Sequence, residues 1–430
     1  MAATRPGRLP GRHRRSPESQ ATYSEVIAIG EFRALWVGQC LSLLGDQLAQ
    51  VALALLVFDA TGSPLATAAV YALTYLPPIL GGPLLAGLAD RFARRRVMIV
   101  CDVARALLVA LMAVPSMPFP VLCALVFCVV LLSSPFTAAR AALLPEILEG
   151  DQYVAGSALQ NMTNQAVQML GFAAGAGVIA TIGAYRGLAL DAVTFLASAL
   201  ILAAGVRRRP SPDPEDGVHA SMWAMTKAGA CLVFGDRRLR TLVLFAWLCG
   251  FYVLPEGIAV PYAVTLGNDP REITLITGLL MAAMPTGTVI GAFLFSRFVT
   301  PTGRLRSMGW MAMLSCAPLI GCVMRPPLAV VLGLWMLAGV GGAYQLAANA
   351  AFVQCVPAGR RGQAFGLVQS GLLAAQGVGI LIGGAAAQAL GPEPVVALAG
   401  AAGLCVAALL AMLWTESRAE IITRVRTQVT

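Results

Sequence analysis

From Phe32 to Trp414 the chain repeats one pattern of polarity: a long apolar stretch, a short run of Arg, Pro, Gly or Asp, then another apolar stretch. About 20 apolar residues, rising 1.5 Å each as a helix, cross the roughly 30 Å hydrocarbon core of a bilayer. The pattern predicts twelve such helices, at 33–58, 63–86, 97–115, 119–141, 154–181, 187–206, 240–266, 273–296, 307–324, 327–354, 363–388 and 393–414. The expected fold class is an all-α polytopic membrane protein. An even number of spans places both termini on one side.

One substantial polar break, Arg207 to Arg240, interrupts the series. It opens on a charged, Pro-rich run and continues as Ser221 to Phe234, which can lie on the membrane surface as an amphipathic helix. The break divides the chain into a disordered basic tail (1–30), a six-helix bundle (31–206), a linker (207–239), a second six-helix bundle (240–415) and a short tail (416–430). The halves resemble each other at a shift of 206 to 209 residues. Asp90-Arg91-Phe92 falls on Ser296-Arg297-Phe298, Ala138 to Ala142 on Ala347 to Ala351, and Gly171 and Gly175 near Gly379 and Gly383. These glycines permit close helix approach.

Composition removes other classes. With 58% hydrophobic and 12% charged residues, and a mean hydropathy of +0.76, the chain has about half the charge of a soluble domain. Its 30 basic residues cluster on alternate loops, at Arg5 to Arg15, Arg91 to Arg96, Arg207 to Arg209, Arg304 with Arg306, and Arg360 with Arg361. The intervening loops hold Arg186, Arg271 and Arg325. This is the positive-inside pattern, so the net charge of +9 reflects topology, not a nucleic-acid partner. Both termini are expected in the cytoplasm, with the chain in the cytoplasmic (inner) membrane. The ten cysteines are scattered without CxxC spacing and the histidines are His13 and His219, so neither a disulfide framework nor a metal site is expected. The one lysine, Lys227, is followed by Ala, which excludes the usual ATP-binding loop. No catalytic constellation is present, and a carrier rather than an enzyme is expected.

Ionisable groups inside spans are costly in hydrocarbon and usually face a cavity. Gln39, Ser42, Asp46 and Gln50 fall at helical spacing on the first span, a polar stripe expected to line a central cavity. Glu256, between Pro255 and Gly257, is the approximate half-repeat counterpart of Asp46, on a helix expected to break there, with Tyr252 one turn earlier on the same side. Asp46 and Glu256 are the candidates for proton or cation coupling. Asp102 and Arg105, three apart, read as a structural ion pair, and Asp191 as a structural acid. Asn161, Asn164, Gln165 and Gln168 share a face of span five, as do Gln345 and Asn349 in span ten and Gln369 and Gln376 in span eleven. With Tyr252 they are the candidate cavity or substrate groups.

The loop Gly87-Leu88-Ala89-Asp90-Arg91-Phe92-Ala93-Arg94-Arg95-Arg96 resembles the signature cytoplasmic loop of the major facilitator superfamily. Ala86 and Ala93 replace two glycines of that signature, while the Asp-Arg step and the arginine triplet are intact. The resemblance implies two pseudo-symmetric bundles, packing of helices five and eleven across the halves, and a conformational latch of Asp90, Arg91, Arg94 and Arg95 with Arg140 as partner. Three fragments are similar to the bacterial branch of macrolide and siderophore exporters: Gly45-Asp46, Ala139 to Glu146 and Pro255 to Tyr262. That branch implies a secondary transporter that exports amphiphilic natural products or drugs by proton antiport; a monomer without a cofactor is expected, and the Arg-over-Lys and Ala-rich composition suggests a high-GC bacterium in which it confers resistance. Import of a small nutrient, and a membrane sensor or scaffold without flux, are the alternatives.

Overall fold

The computed structural model describes residues 22–79, 81, 92–209, 230–357 and 361–429. After a short helix, Tyr23–Ala28, come α1 (Gly30–Thr61), α2 (beginning Pro64–Ala72), α3 (Arg94–Met112), α4 (Phe119–Ile147), α5 (Asp151–Ile182) and α6 (Ala184–Gly205). The second half holds α7, in pieces Arg237–Trp247, Cys249–Tyr252, Leu254–Gly257 and Ala259–Leu266, and then α8 (Pro270–Phe298). It continues with α9 (Pro301–Leu314, extended by a 3-10 turn, Ala317–Met324), α10 (Leu328–Gly342 and Tyr344–Cys355), α11 (Arg361–Leu390) and α12 (Pro392–Val429). Among the described residues ten helices are long and apolar enough to span a membrane. The 19-residue α3 is not among them, since it carries Asp102, Arg105 and three arginines at its start.

Turn chemistry repeats with the halves. Gly62, in the left-handed region (φ 61°), stops α1, and Ser63 caps α2 by accepting from Ala66 N at 3.2 Å, with Pro64 in the first turn. Asp269 and Pro270, 206 residues further on, start α8 in the same way, the carboxylate accepting from Arg271 N and Glu272 N at 2.8 and 2.9 Å. Gly183 (φ 85°) joins α5 to α6, and Gly391 (φ 86°), at a shift of 208, joins α11 to α12. The duplication is therefore written into the positions where only certain residues can turn the chain.

Within the first half α1 and α3 both pack on α6, α3 on α4, and α1 on α5; within the second α8 packs on α10, α9 on α12, and α7 on α10 and α11. The halves meet through α5 against α8 and α2 against α11. The glycines serve each half internally. Gly171 and Gly175 seat α5 on Gln47 and Leu48 of α1, and Gly379 and Gly383 seat α11 on Gly250 and Leu254 of α7. Helices five and eleven do reach across the interface, but on other faces.

The α7/α11 crossing brings backbone against backbone. A Cβ on Gly250 would lie 2.6 Å from the Ala375 carbonyl oxygen, and one on Gly379 would overlap Gly250 itself. Gly250→Val is expected to destabilise the protein by about 1–3 kcal/mol, the usual cost of overpacking, and to lower its thermal midpoint in detergent. Gly177→Ala, with open space around it, is the control that should leave the midpoint unchanged.

Candidate functional site

Helix ends alternate between two faces of the bundle. One carries Arg33, Arg94 to Arg96, Arg207 to Arg209, Arg237, Arg238 and Arg304; the other carries Arg186, Arg271 and Arg325. Contacts between halves gather on the arginine-poor face. Ser63 Oγ donates to Gln388 Oε1 at 2.8 Å, Arg271 Nε donates to Ala180 O at 3.3 Å, and Gly278 and Gly384 bring α8 onto α5 and α11 onto α2.

Below that seal lies a cavity of about 670 Å³. Its walls reach Leu242 and Ala246 at the start of α7, Ala292 late in α8, Phe352 late in α10 and Phe365 early in α11. All of these lie toward the arginine-rich face, so the cavity opens there. Six amide side chains line it: Gln165, Gln168, Gln345, Asn349, Gln369 and Gln376. Glu256 is the one charged residue in the wall as described.

Pro255 and Pro261 each remove a backbone donor from α7, and the helix resolves into short turns around them. Glu256 sits in one of these turns, buried, and its Oε2 accepts a hydrogen bond from Tyr71 Oη at 3.0 Å. Tyr71 belongs to α2, so this bond ties the two halves together at the foot of the cavity. Tyr75, one turn on and 5.9 Å from Tyr71 between ring centroids, forms part of the wall. The expected neighbour of Glu256, Tyr252, instead accepts from Gln345 Nε2 at 2.6 Å, linking α7 to α10 on its own side of the cavity. Tyr71 and Tyr75 escaped the sequence reading. Their i, i+4 spacing was visible, but nothing local to α2 pointed at an acid 185 residues away.

The polar stripe of α1 lies elsewhere. Gln39 and Ser42 are buried inside the first half, Gln50 is half-buried, and none of the three is in the cavity wall. Gln39 Nε2 donates to Asn164 Oδ1 of α5 at 2.7 Å, while Asn161 is exposed outside the wall. Asp46 receives both of its short bonds from Arg105 Nη2, at 2.9 and 3.2 Å, and keeps 30% of its side-chain surface open. The expected Asp102–Arg105 pair is longer, 3.8 Å; Asp102 Oδ2 accepts instead from Ser198 Oγ of α6 at 2.6 Å. The Arg105 guanidinium stacks 4.0 Å over the Phe195 ring. Gln39, Ser42 and Asp46 thus find partners on α3 and α5 within the half, although Gln39 Oε1 is buried without one, and the stripe does not turn to the cavity.

Of the latch residues, Asp90 and Arg91 lie outside the described residues. Arg94 bonds Glu146 and the Ala142 carbonyl, the latter at 3.0 Å, and Arg95 bonds the Ala203 carbonyl. Glu146 also meets Arg209 Nε at 3.3 Å, and Arg209 bonds Glu31, so an ion network joins α1, α3, α4 and the end of α6 on the arginine-rich face. Arg140 lies half-buried on α4. The amphipathic helix expected over 221–234 falls largely outside the described residues, which show helix from 230 to the Asp236 cap.

A duplicated helical bundle with a polar cavity between its halves, closed at one end and open at the other, is the architecture of an alternating-access membrane carrier. The Major Facilitator Superfamily model matches residues 35–276 and 241–427, and the chain belongs to that family: it is a multi-pass membrane transporter, not an enzyme. It is 28% identical over 372 residues to the multidrug efflux pump Tap of Mycolicibacterium fortuitum, covering 81% of this chain and 87% of that protein. It is 25% identical over 295 residues to the uncharacterized MFS-type transporter YkuC of Bacillus subtilis strain 168, covering 64% and 67%. Among solved structures it resembles a mutant of the nucleoside transporter NupG, with a TM-score of 0.70 at 13% identity over 89% of this chain and 99% of that one. It also resembles an inward-facing bacterial homologue of the iron transporter ferroportin, with a TM-score of 0.64 at 17% identity over 90% and 98%. These two likenesses carry the fold alone.

Proposed function

We propose that this transporter is a secondary active exporter of amphiphilic small molecules, working as a monomer in the cytoplasmic membrane by alternating access and proton antiport. The arginine-rich face and both termini are cytoplasmic in this reading, following the positive-inside rule. The observation that carries it is the cavity: room for a drug-sized molecule, a wall mixing amides, aromatics and aliphatics around a single carboxylate, and an opening toward the cytoplasm. A wall of this kind suits a ligand with apolar bulk and several hydrogen-bonding groups. The relative named as a multidrug efflux pump supports the direction of transport.

Glu256 and Asp46 are the coupling groups in this reading, one in the cavity wall and one paired to Arg105. No cofactor takes part, and the proton gradient supplies the energy. Everted membrane vesicles, energised so that their lumen is acidic, are expected to accumulate a fluorescent amphiphile that carries a permanent charge, more than vesicles lacking the protein do, and a protonophore to abolish the difference. Greater uptake by whole cells carrying the gene than by cells without it would overturn export in favour of import. Absence of any flux in reconstituted vesicles would overturn transport of this substrate class altogether.

A further inference from the structure

Three carboxyl groups and one guanidinium share the interior of the first half. Asp46 comes from α1, Asp102 and Arg105 from α3, and Asp191 from α6. None of them is in the wall of the central cavity as described. An ionised carboxylate without a partner is so costly in a low-dielectric interior that the group takes up a proton instead. One guanidinium compensates one carboxylate, so the count leaves the cluster short of positive charge.

The geometry says where the shortage falls. Arg105 gives its short bonds to Asp46. Asp102 has Ser198 on one oxygen; its other, Oδ1, is also buried without a hydrogen bond but has the Arg105 cation 3.8 Å away, which Asp191 lacks. Asp191, 1% exposed, has no cation within ion-pair reach among the described residues. Its Oδ1 accepts from Thr194 Oγ1 at 3.2 Å, and its Oδ2, fully buried, has no hydrogen-bond partner. Other groups do not change the count. Cys101 of α3 and Ser42 of α1 are the remaining polar neighbours, Phe195 supplies a ring to Arg105, and α5 meets α1 through Gly171 and Gly175 on another face. Arg140, on α4, has no carboxylate within ion-pair reach among the described residues.

We infer that Asp46, Asp102, Asp191 and Arg105 form a proton-binding site inside the first half, separate from the substrate cavity, with the proton seated on Asp191 Oδ2. The inference rests on the proton-antiport reading and gives the proton its seat. Asp46 is the member with open surface, and in this inference it is where the proton enters. The Asp191 carboxylate lies against the α1 backbone at Gly45, beside Asp46 in the chain, and a Cβ on Gly45 would overlap it. A proton arriving on Asp46 weakens its hold on Arg105, whose Nη1 already faces Asp102 at 3.8 Å. Arg105 then shifts its charge from α1 to its own helix, loosening α1 from α3. Proton occupancy is thereby linked to the packing of a helix that also touches the second half.

The test is infrared spectroscopy of the full chain in proteoliposomes, paired with flux. Wild type at neutral pH should show the carbonyl band of a protonated, dehydrated carboxylic acid. Asp191→Asn should lose that band, and Glu256→Gln should keep it. Because Asn replaces a neutral acid with a neutral amide of the same shape, Asp191→Asn should fold with an unchanged thermal midpoint. It should retain substrate exchange without a gradient and lose gradient-driven accumulation. A band unaffected by Asp191→Asn, or full gradient-driven accumulation in that variant, overturns the inference. If wild type shows no gradient-driven flux, the antiport reading fails, while the band still decides whether Asp191 holds a proton.

Discussion

Glu256→Gln is expected to abolish proton-driven accumulation, and Tyr71→Phe to move the carrier away from the state open on the arginine-rich face. The two variants separate two roles of one contact. Glu256 is the charged group of the described cavity wall, and its Oε2 is also bonded, at 3.0 Å, to a tyrosine of the other half. Gln preserves shape and much of the hydrogen bonding but cannot exchange a proton or attract a cation. Phe preserves the acid and the Tyr75 ring contact, and removes only the bond between halves. That bond exists in the state with the arginine-poor face sealed, so losing it penalises that state alone. At about 1–3 kcal/mol the equilibrium between states shifts roughly 5- to 150-fold. The shift is read as faster labelling of Ala68→Cys, buried at the α2/α11 crossing in this state, in a cysteine-free background, by an impermeant thiol reagent applied to the arginine-poor face. Unchanged labelling in Tyr71→Phe would show that the bond does not hold the halves. Unchanged accumulation in Glu256→Gln would remove this acid from coupling.

The spans were legible because a helix in lipid must be apolar for about 20 residues and must end on something polar. The same constraint made the breaks readable, with Pro255 and Gly257 around Glu256 and the ends of α5 and α11 at Gly183 and Gly391. The amides of α10 and α11 were legible as cavity groups because Gln345, Asn349, Gln369 and Gln376 sit on helices otherwise almost purely apolar. What local sequence does not carry is the rotation of a helix relative to its neighbours. Spacing of three and four puts Gln39, Ser42 and Asp46 on one face, but a polar face in a membrane bundle has two ways out of lipid, a wet cavity or a polar neighbour. Here α5 supplies Asn164 and α3 supplies Arg105, so the face is used up inside the half. For the same reason Arg105 was assigned to Asp102, its nearest acid in sequence, while the closer acid in space lies 59 residues earlier.

The second large effect is expected at the seal. On the arginine-poor face α8 meets α5 at Gly278, where a Cβ would overlap Ala176 and lie 2.8 Å from the Phe172 carbonyl oxygen. On the other side α11 meets α2 at Gly384, where a Cβ would overlap Ala68 and lie 3.2 Å from the Pro64 carbonyl oxygen. A leucine at either point cannot fit while the halves touch, yet the contact is between halves, so each half keeps its own packing. The expected result is a wedge, with the sealed state penalised and the thermal midpoint nearly unchanged, the opposite of Gly250→Val inside the second half. Each wedge costs the sealed state about 1–3 kcal/mol. The two sites sit on different helix pairs, so their penalties should add, to about 2–6 kcal/mol. Reversing a two-state population from 99:1 to 1:99 takes roughly 5.5 kcal/mol, so one wedge biases the carrier and the pair locks it. Gly278→Leu with Gly384→Leu should therefore lower turnover by more than about tenfold, while leaving Ala68→Cys, buried when the halves are sealed, open to reagent from the arginine-poor face. Turnover equal to wild type in the double variant would mean that the halves do not close through these two crossings.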